Sequence, residues 1–371
     1  MADEPLEELA GRTPLEAAKT PFLDLMAKKG RVGSALFAPY SLAPTSDVAC
    51  MALLGFDPEA YYTGIAPLEA FAMGIPQSDH EVIFRCDFVT VLDEDLVDTS
   101  ASRISPRESK QLLDELNKGL GSDKVRFHTG EGYKNILTVS DPELAESLDE
   151  LECAPPQSLI GQKFAKNLPK GQAARFLTDL MDRSKAILEN HEINRVRVDL
   201  NENPANMIWP WGQGRRPKIP GFKQRYGLEG AVVSDADFVK GLGKVLGMET
   251  APGFEEFAGS KDFIFSYRAS PAPVIRGGDF KKKIRFIEEF DAAAGELMKK
   301  AEAAGDVRLC VTSDYASSIA RKAAFHGHVP FLIWGAGIAG EEAGAFNEKT
   351  QAQSKFILNE GHTLMQHFIK G

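Results

Sequence analysis

The stretch VTSDYASSIARKAAFHGHVPFLIW, residues 311–334, joins two apolar runs through a polar segment. The first run begins near Arg308 and ends at Asp314, and the second, VPFLIWG, begins at Val329. Short runs of almost entirely apolar residues are typical of strands buried on both faces of a parallel sheet. Because ligands of open α/β sheets gather at the carboxyl ends of strands, Asp314 is a candidate functional residue.

Similar runs recur on the amino-terminal side of this stretch. GLEGAVVSD spans residues 227–235, KDFIFSYRA spans 261–269, and the amphipathic segment 280–305 predicts a helix before the next strand. This spacing predicts right-handed β-α-β crossovers in a mostly parallel, doubly wound sheet. Ser234 and Asp235 also lie at a predicted strand end, and Ser46 lies just beyond another.

The first fifty residues predict a helix, a strand and a second helix. TPLEAAKTPFLDLMAKKG, residues 13–30, predicts one helix, with Thr13 as its cap, Pro14 in its first turn and Gly30 at its end. RVGSALFAP then predicts a strand over residues 31–39. A loop rich in Pro, Ser and Thr leads to the small apolar helix VACMALLGF, residues 48–56.

The middle of the chain has a different pattern. EVIFRCDFVTVLDED (81–95) and KVRFHTGEGYKNILTVSD (124–141) show the alternation of half-buried strands, and residues 105–121 between them predict an amphipathic helix. We therefore expect an α/β core formed by residues 1–74 and 195–371. A smaller α+β domain, residues 75–194, would be inserted in this core.

Composition excludes several classes of function. The chain has 371 residues and a formal net charge of −10, so it offers no basic surface for nucleic acid. No apolar run approaches the length of a membrane span, and the acidic start MADEPLEELAGR does not resemble a signal peptide, so we expect a cytoplasmic protein. The four cysteines are far apart in the sequence, and we expect them to be reduced.

Five further stretches carry a family resemblance: AGRTPLEAAKTPFLD (10–24), SDVACMALLGFDPEAYYTG (46–64), FRCDFVTV (84–91), NPANMIWPWGQGRRP (203–217) and VVSDADFVKGLGKVLG (232–247). In this order they resemble the archaeal-type 2,3-bisphosphoglycerate-independent phosphoglycerate mutases of the alkaline phosphatase superfamily. Some bacterial relatives of that family have been proposed as homoserine kinases. The resemblance covers almost the whole chain and implies an alkaline-phosphatase-like α/β fold.

The resemblance also implies a chemistry. The family interconverts 2- and 3-phosphoglycerate through a phosphoserine, with two divalent metals (Mn, Mg or Zn) that activate the serine and neutralise the phosphoryl group. Ser46, in TSDVA, occupies the nucleophile position. A serine followed by Asp47 and an apolar helix would equally well act as a helix cap, so both interpretations stay open at this point.

Several positions depart from the family pattern. A histidine is replaced by Cys50 in SDVAC, and a His-Asp pair by Gln and Ser in CAPPQS. An Asp and a His are replaced in PAPVIRGGD, and two further histidines are replaced near Asp314 and before VPF. The residues now at these positions are Cys50, Gln157, Ser158, Ala272, Arg276, Tyr315 and Ala324. Of the metal positions that the resemblance identifies, Ser46 and Asp314 remain.

One carboxylate and one hydroxyl cannot hold two metals tightly, so we expect this chain not to retain them. Two features could compensate for the loss. His326 and His328 could supply imidazole ligands, or Arg276 could replace a metal as a fixed positive charge that holds a phosphate. Relatives begin with an apolar strand ending in Asp-Gly, before a stretch like MADEP, so we expect the native chain to start upstream of Met1.

The expected ligand is a small phosphorylated carboxylic acid. Candidate residues for binding it are Asp47, Arg85, Arg103, Lys134, Arg215 and Arg216, although each basic residue could also be an ordinary solvated charge. Three functions follow: a phosphoglycerate mutase, a catalytically inactive relative that binds such an acid or pairs with an active paralogue, and a homoserine-kinase-like phosphotransferase. A homo-oligomer is compatible with each of them.

Overall fold

The computed structural model describes residues 1–257, 259–269 and 277–370, and its contacts divide the chain into two compact units. The first unit combines Met1–Tyr62 with Arg268–Gly371, and the second is Thr63–Tyr267. We expected boundaries after residues 74 and 194, whereas the contacts divide the chain after 62 and 267. The difference arises because residues 207–214 form a strand that pairs with residues 83–89, inside the second unit.

The helices, in chain order, are α1 Pro14–Ala17, α2 Pro21–Lys29, α3 Ser46–Leu53, α4 Pro58–Tyr61, α5 Ile65–Ala72, α6 Pro106–Leu120, α7 Ala145–Asp149, α8 Ala174–Leu188, α9 Glu192–Asp199, α10 Phe222–Tyr226, α11 Asp237–Val245, α12 Phe280–Ala304, α13 Glu348–Gln353 and α14 Leu364–Lys370. Short 3-10 helices are Glu7–Leu9, Pro156–Ser158, Phe164–Asn167, Phe254–Glu256 and Gly361–Thr363. Within the described residues, we find no helix with the length and apolar character needed to cross a membrane.

The strands, in chain order, are β1 Arg31–Ala35, β2 Glu81–Leu92, β3 Asp95–Asp98, β4 Val125–Glu131, β5 Lys134–Ser140, β6 Met207–Gly214, β7 Gly230–Val233, β8 Glu249–Ala251, β9 Phe263–Ser266, β10 Arg308–Thr312, β11 Ala316–Ser318, β12 Ala323–Phe325, β13 Val329–Gly335 and β14 Ile357–Leu358. Strands and helices alternate along much of the chain, so the α/β fold class is confirmed.

The sheet of the first unit has mixed strand directions. Its order is β10-β13-β1-β14, and β13 runs antiparallel to both of its neighbours, whereas β1 and β14 are parallel. The prediction of a parallel arrangement for the two runs in residues 308–335 was therefore wrong. The connection between these strands contains the short hairpin β11–β12 instead of the crossover helix that a parallel pair requires.

The predicted helix over residues 13–30 is broken in two. Thr13 caps α1 in a reciprocal capping box with Glu16, as the sequence indicated. The helix ends at Ala17, and α2 starts afresh at Pro21, because proline lacks a backbone N–H and disfavours helical geometry in the residue before it. The carboxylate of Asp291, in α12, accepts the N–H of Leu23 at 2.8 Å and satisfies this new helix start.

The second unit contains two sheets. An antiparallel sheet has the order β3-β2-β5-β4, with β6 paired to β2. A separate sheet has the order β8-β7-β9 with parallel pairing, as predicted for the runs near residues 230 and 263. Helices α5 and α11 pack so closely that a Cβ atom on Gly241 would lie 1.7 Å from the carbonyl oxygen of Leu68. Only glycine permits this approach.

A buried lysine connects several segments of the first unit. Lys283, in α12, donates from Nζ to Asp3 Oδ2 at 2.6 Å, to Ser317 Oγ at 2.8 Å and to the carbonyl oxygen of Ala2 at 3.1 Å. These three bonds use the full donor capacity of the ammonium group. Burial lowers the pKa of Lys283, and the charge of Asp3 opposes this shift. The interior therefore contains a compensated ion pair.

Substituting Lys283→Met should destabilise the chain strongly, because Asp3 would keep a buried carboxylate without its cation. Breaking such a pair costs about 3–5 kcal/mol, measurable as a lower urea midpoint of unfolding. The exposed neighbour Lys281 provides a matched control, and Lys281→Met should leave the midpoint nearly unchanged. Equal midpoints for the two variants would show that Lys283 does not have this role.

Candidate functional site

Ser46 begins helix α3 and faces the end of strand β10. The non-helical residue before this helix is Thr45, with φ −119° and ψ 159°, so the alternative in which Ser46 caps the helix is wrong. The Ser46 hydroxyl donates a hydrogen bond to Asp314 Oδ2 at 2.7 Å. The two residues that remained from the family's metal positions thus contact each other directly.

Asp314 lies two residues beyond β10, as the sequence predicted for a residue at a strand end. Its other carboxylate oxygen, Oδ1, accepts the backbone N–H of Tyr315 at 3.0 Å. Both oxygens of Asp314 therefore have hydrogen-bond donors from the protein.

Cys50 and Asp47 lie within the first two turns of the same helix. Cys50 is fully buried, and burial raises the pKa of its thiol well above the usual value, with further contributions from the charges of Asp314 and Asp47. In the absence of a metal the Cys50 thiol is therefore protonated at neutral pH. Asp47, a candidate for substrate binding, is buried and accepts a short hydrogen bond from the hydroxyl of Tyr62.

The residues that now occupy the family's metal-ligand positions do not form a new group of metal ligands. Tyr315 is half-buried beside Asp314, and Ala324 is exposed in β12. Ala272 and Arg276 lie outside the described residues. In the part of the chain that the structure describes, no three side chains from His, Cys, Asp and Glu are grouped to hold a metal ion. The donor atoms present here do not fit a two-metal centre.

The two histidines that could have supplied imidazole ligands have other contacts. His326 Nε2 lies 2.8 Å from the carbonyl oxygen of Leu42, which can only accept, so this nitrogen carries the proton. His328 Nε2 lies 3.0 Å from the side-chain oxygen of Asn359. These bonds attach the segment between β12 and β13, which contains both histidines, to neighbouring segments of the first unit.

In the second unit, Arg85 is the centre of a buried charged cluster. Its Nε lies 3.2 Å from Glu69 Oε2, and its Nη2 lies 3.4 Å from Asp87 Oδ1. The guanidinium also stacks on the Trp211 ring, 4.5 Å from the ring centre. Arg85 is therefore an internal cation held by two carboxylates and one aromatic ring.

The donors around Asp87 complete this cluster. Trp211 Nε1 donates to Asp87 Oδ2 at 2.9 Å, and Gln157 Nε2 donates to the same oxygen at 3.4 Å. Burial raises the pKa of Asp87, and the charge of Arg85 and the bond from Trp211 oppose the shift. Gln157, one of the residues at a replaced histidine position, thus donates to a carboxylate. Ser158 is exposed and bonds to the carbonyl of Pro155.

A cavity of about 360 Å³ lies beside this cluster, within the second unit. It is lined by residues of α5, the β4–β5 hairpin and the start of α11, namely Glu69, Ala72, Met73, Thr129, Gly130, Glu131, Lys134, Asn135, Ile136 and Asp237. Lys134 is the candidate binding residue that lines it. Burial raises the pKa of Glu69 from its usual 4.5 to about 7, although Arg85 opposes the shift.

The other predicted anion-binding residues lie elsewhere in the second unit. Arg103 is exposed and has a left-handed backbone, with φ 55°. Arg215 lies 3.4 Å from Asp149 Oδ2, and Arg216 is exposed. The roles of these three residues stay predictions.

Sequence reasoning missed Glu69, Trp211 and Asp237. For Glu69 a signal was present, because IAPLEAFA, residues 65–72, contains a single charge among apolar residues. Such a charge has to find a partner when the helix is buried. The contact of Trp211 with Asp87 had no comparable signal.

Comparison with known proteins gives a consistent result. The family model for 2,3-bisphosphoglycerate-independent phosphoglycerate mutase matches residues 27–194. A protein of that name from Methanothrix thermoacetophila is 37% identical over 100% of this chain and 97% of its own length. A protein from Geobacter sulfurreducens, named as a probable mutase of the same kind, is 33% identical with the same coverage.

Solved structures show the same fold. A protein of Pyrococcus horikoshii superposes with a TM-score of 0.80 at 23% identity, covering 100% of this chain and 94% of that one. The cofactor-independent phosphoglycerate mutase of Thermoplasma acidophilum superposes with a TM-score of 0.60 at 24% identity, with coverage of 100% and 96%. The expected alkaline-phosphatase-like α/β fold is confirmed.

The raised pKa of Glu69 predicts how stability depends on pH. Between pH 4.5 and about 7 the folded chain binds a proton at Glu69 that the unfolded chain has lost, so this residue's contribution to stability falls as pH rises. In Glu69→Gln this contribution is absent. The free energy of unfolding of the wild type should therefore fall relative to the variant by up to about 1.4 kcal/mol per pH unit.

Urea unfolding of both proteins from pH 4.5 to 8 measures this difference. Glu131→Gln is the matched control, because Glu131 lines the same cavity but is exposed. Its stability should follow that of the wild type across the range. A constant difference between the wild type and Glu69→Gln would contradict the raised pKa.

Proposed function

This chain belongs to the 2,3-bisphosphoglycerate-independent phosphoglycerate mutase family, and we propose that it binds a small phosphorylated carboxylic acid without transferring the phosphoryl group. The names of its relatives support the ligand class, since they are described as phosphoglycerate mutases. The absence of membrane-spanning helices among the described residues is compatible with a cytoplasmic location. A homo-oligomer, or a pair with an active paralogue, would be compatible with such a binding protein.

The observation that carries the proposal is the bond between Ser46 Oγ and Asp314 Oδ2. A serine hydroxyl is a weak nucleophile at neutral pH unless a metal or a strong adjacent base activates it. In the described part of the chain no metal-holding group is present beside this pair, and the Cys50 thiol stays protonated. The residues that the structure describes therefore do not supply the activation that phosphoryl transfer through this serine requires.

Mutase activity is the second candidate function. Family membership favours it, and so does the position of Ser46, which keeps its hydroxyl in contact with the surviving carboxylate. Under this alternative the chain would require metal ligands beyond those that the described residues provide. The homoserine-kinase-like alternative stays a prediction.

Calorimetric titration with 3-phosphoglycerate separates the two candidates. We expect saturable binding with the same dissociation constant in EDTA and in Mn²⁺, and we expect Ser46→Ala to bind equally well, because no covalent step takes place. Conversion to 2-phosphoglycerate should be undetectable under conditions in which the Methanothrix relative is assayed in parallel.

Two results would overturn the non-catalytic part of the proposal. One is conversion of 3-phosphoglycerate in Mn²⁺ that Ser46→Ala abolishes. The other is an intact mass that shows one phosphoryl group on the wild type after incubation with 3-phosphoglycerate and none on Ser46→Ala. A chain that does not bind 3-phosphoglycerate would also contradict the proposed ligand class.

A further inference from the structure

The cavity of the second unit has the size of a small-molecule site and a lining that contains several charged side chains. Its volume of about 360 Å³ lies within the range of ligand pockets. Three elements form its walls: α5 contributes Glu69, the β4–β5 hairpin contributes Lys134 and Asn135, and the start of α11 contributes Asp237. The hairpin is held by the side chain of Asn135, whose oxygen accepts the N–H of Gly130 at 3.0 Å.

Lys134 is the cation available to a ligand in this cavity. Its ammonium group makes no ion pair with any residue in 1–257, 259–269 or 277–370, and its nitrogen lies 5.9 Å from the centre of the Tyr133 ring. Its charge nevertheless acts on Glu69 and Asp87. Lys134 is therefore free to bind an anion close to these carboxylates.

The negative charges of the cavity's acidic residues are offset in different ways. Asp237 Oδ1 accepts a hydrogen bond from Lys240 Nζ at 2.9 Å, one turn along α11. Glu131 is exposed beside the hairpin turn, where water screens its charge. Glu69 is the buried carboxylate of the cavity, and it is the acidic group that an anion at Lys134 would affect most.

Charged groups act on Glu69 from three neighbouring elements, whereas β6, which also packs against α5, has no charged residue. Arg85 and Asp87 approach from β2, Lys134 from β5, and Asp237 from α11. Arg85 and Lys134 favour the carboxylate form, whereas Asp87, Asp237 and burial oppose it. A ligand that neutralises Lys134 removes one of the two positive charges that favour the Glu69 carboxylate, and it adds a negative charge nearby.

We infer that this cavity binds a small acid with two ionised acidic groups at Lys134, and that the Glu69 carboxylate takes up one proton from solvent when the acid binds. This inference rests on the proposed function, since it assigns that function's ligand to a cavity. In addition, the affinity for the acid depends on pH through Glu69, which lies outside the Ser46 site. No covalent step is involved.

The direction of the pH dependence follows from linkage. The free protein holds the Glu69 proton with a pKa of about 7, and a bound anion raises this pKa further. Affinity therefore increases as pH falls towards 7, because the bound state retains more proton than the free state. Well below the pKa of the free protein, both states are protonated and the affinity levels off.

Sulfoacetate is a suitable probe, because its sulfonate and carboxylate are both ionised between pH 6 and 8, unlike a phosphate monoester. Calorimetric titration should show tighter binding at pH 6 than at pH 8, by at most about tenfold per pH unit for a single linked proton. Titration in two buffers of different ionisation enthalpy should reveal uptake of up to one proton per bound molecule.

Three variants test the assignment. Glu69→Gln should bind at pH 8 about as tightly as the wild type does at pH 6, with no residual pH dependence. Lys134→Met should abolish binding, whereas Lys134→Arg should retain it, so loss of binding in the methionine variant cannot be ascribed to a perturbed fold. Glu146→Gln, at an exposed glutamate of α7 outside the cavity lining, is the control and should keep the wild-type slope.

The inference is overturned if sulfoacetate does not bind, if the pH slope persists in Glu69→Gln, or if Lys134→Met binds normally. These failures differ from failure of the proposed function. If 3-phosphoglycerate binds independently of Lys134, the proposed function stands and this site assignment falls. If the chain converts 3-phosphoglycerate and sulfoacetate still binds with the expected pH dependence, the proposed non-catalytic function is wrong. The proton-linked binding site is then still supported.

Discussion

A carboxylate removed from water needs donors or a cation, and in both units of this chain the protein itself supplies them. In the first unit, Lys283 neutralises Asp3, and Ser46 and the N–H of Tyr315 satisfy Asp314. In the second, Arg85 lies between Glu69 and Asp87. The positions of the neighbouring helices and strands depend on this compensation, because an unpaired buried charge would destabilise either unit.

The same need for compensation determines what the Ser46–Asp314 site can do chemically. In a two-metal centre, carboxylates and imidazoles would be grouped around cations, and the serine would be activated by coordination. Here the surviving carboxylate accepts two protein hydrogen bonds, and the thiol near it is protonated. The fold of a phosphoryl-transfer family is thus retained, while the serine is held by hydrogen bonding. Anion binding can persist under these conditions, because it requires a free cation such as Lys134 and no activated nucleophile.

Local patterns predicted local structure well. The cap at Thr13, the start of α6 near residue 105, the parallel pairing of β7 with β9 and the position of Asp314 just beyond β10 follow from short sequence signals. The direction of β13 and the break before Pro21 were missed, because apolar runs do not encode strand direction and the apolar pattern continued across the proline. The pairing of Arg85 with Glu69 joins elements whose proximity no spacing in the sequence reveals.

We propose that the site around Ser46 and Asp314 does not hold divalent metal ions. Elemental mass spectrometry of the full chain, produced in medium containing Mn²⁺, Mg²⁺ and Zn²⁺ and purified without chelator, tests it most directly. The account predicts far less than one divalent ion per chain, and the same content in Asp314→Asn. Two ions per chain in the wild type, lost in Asp314→Asn, would contradict it.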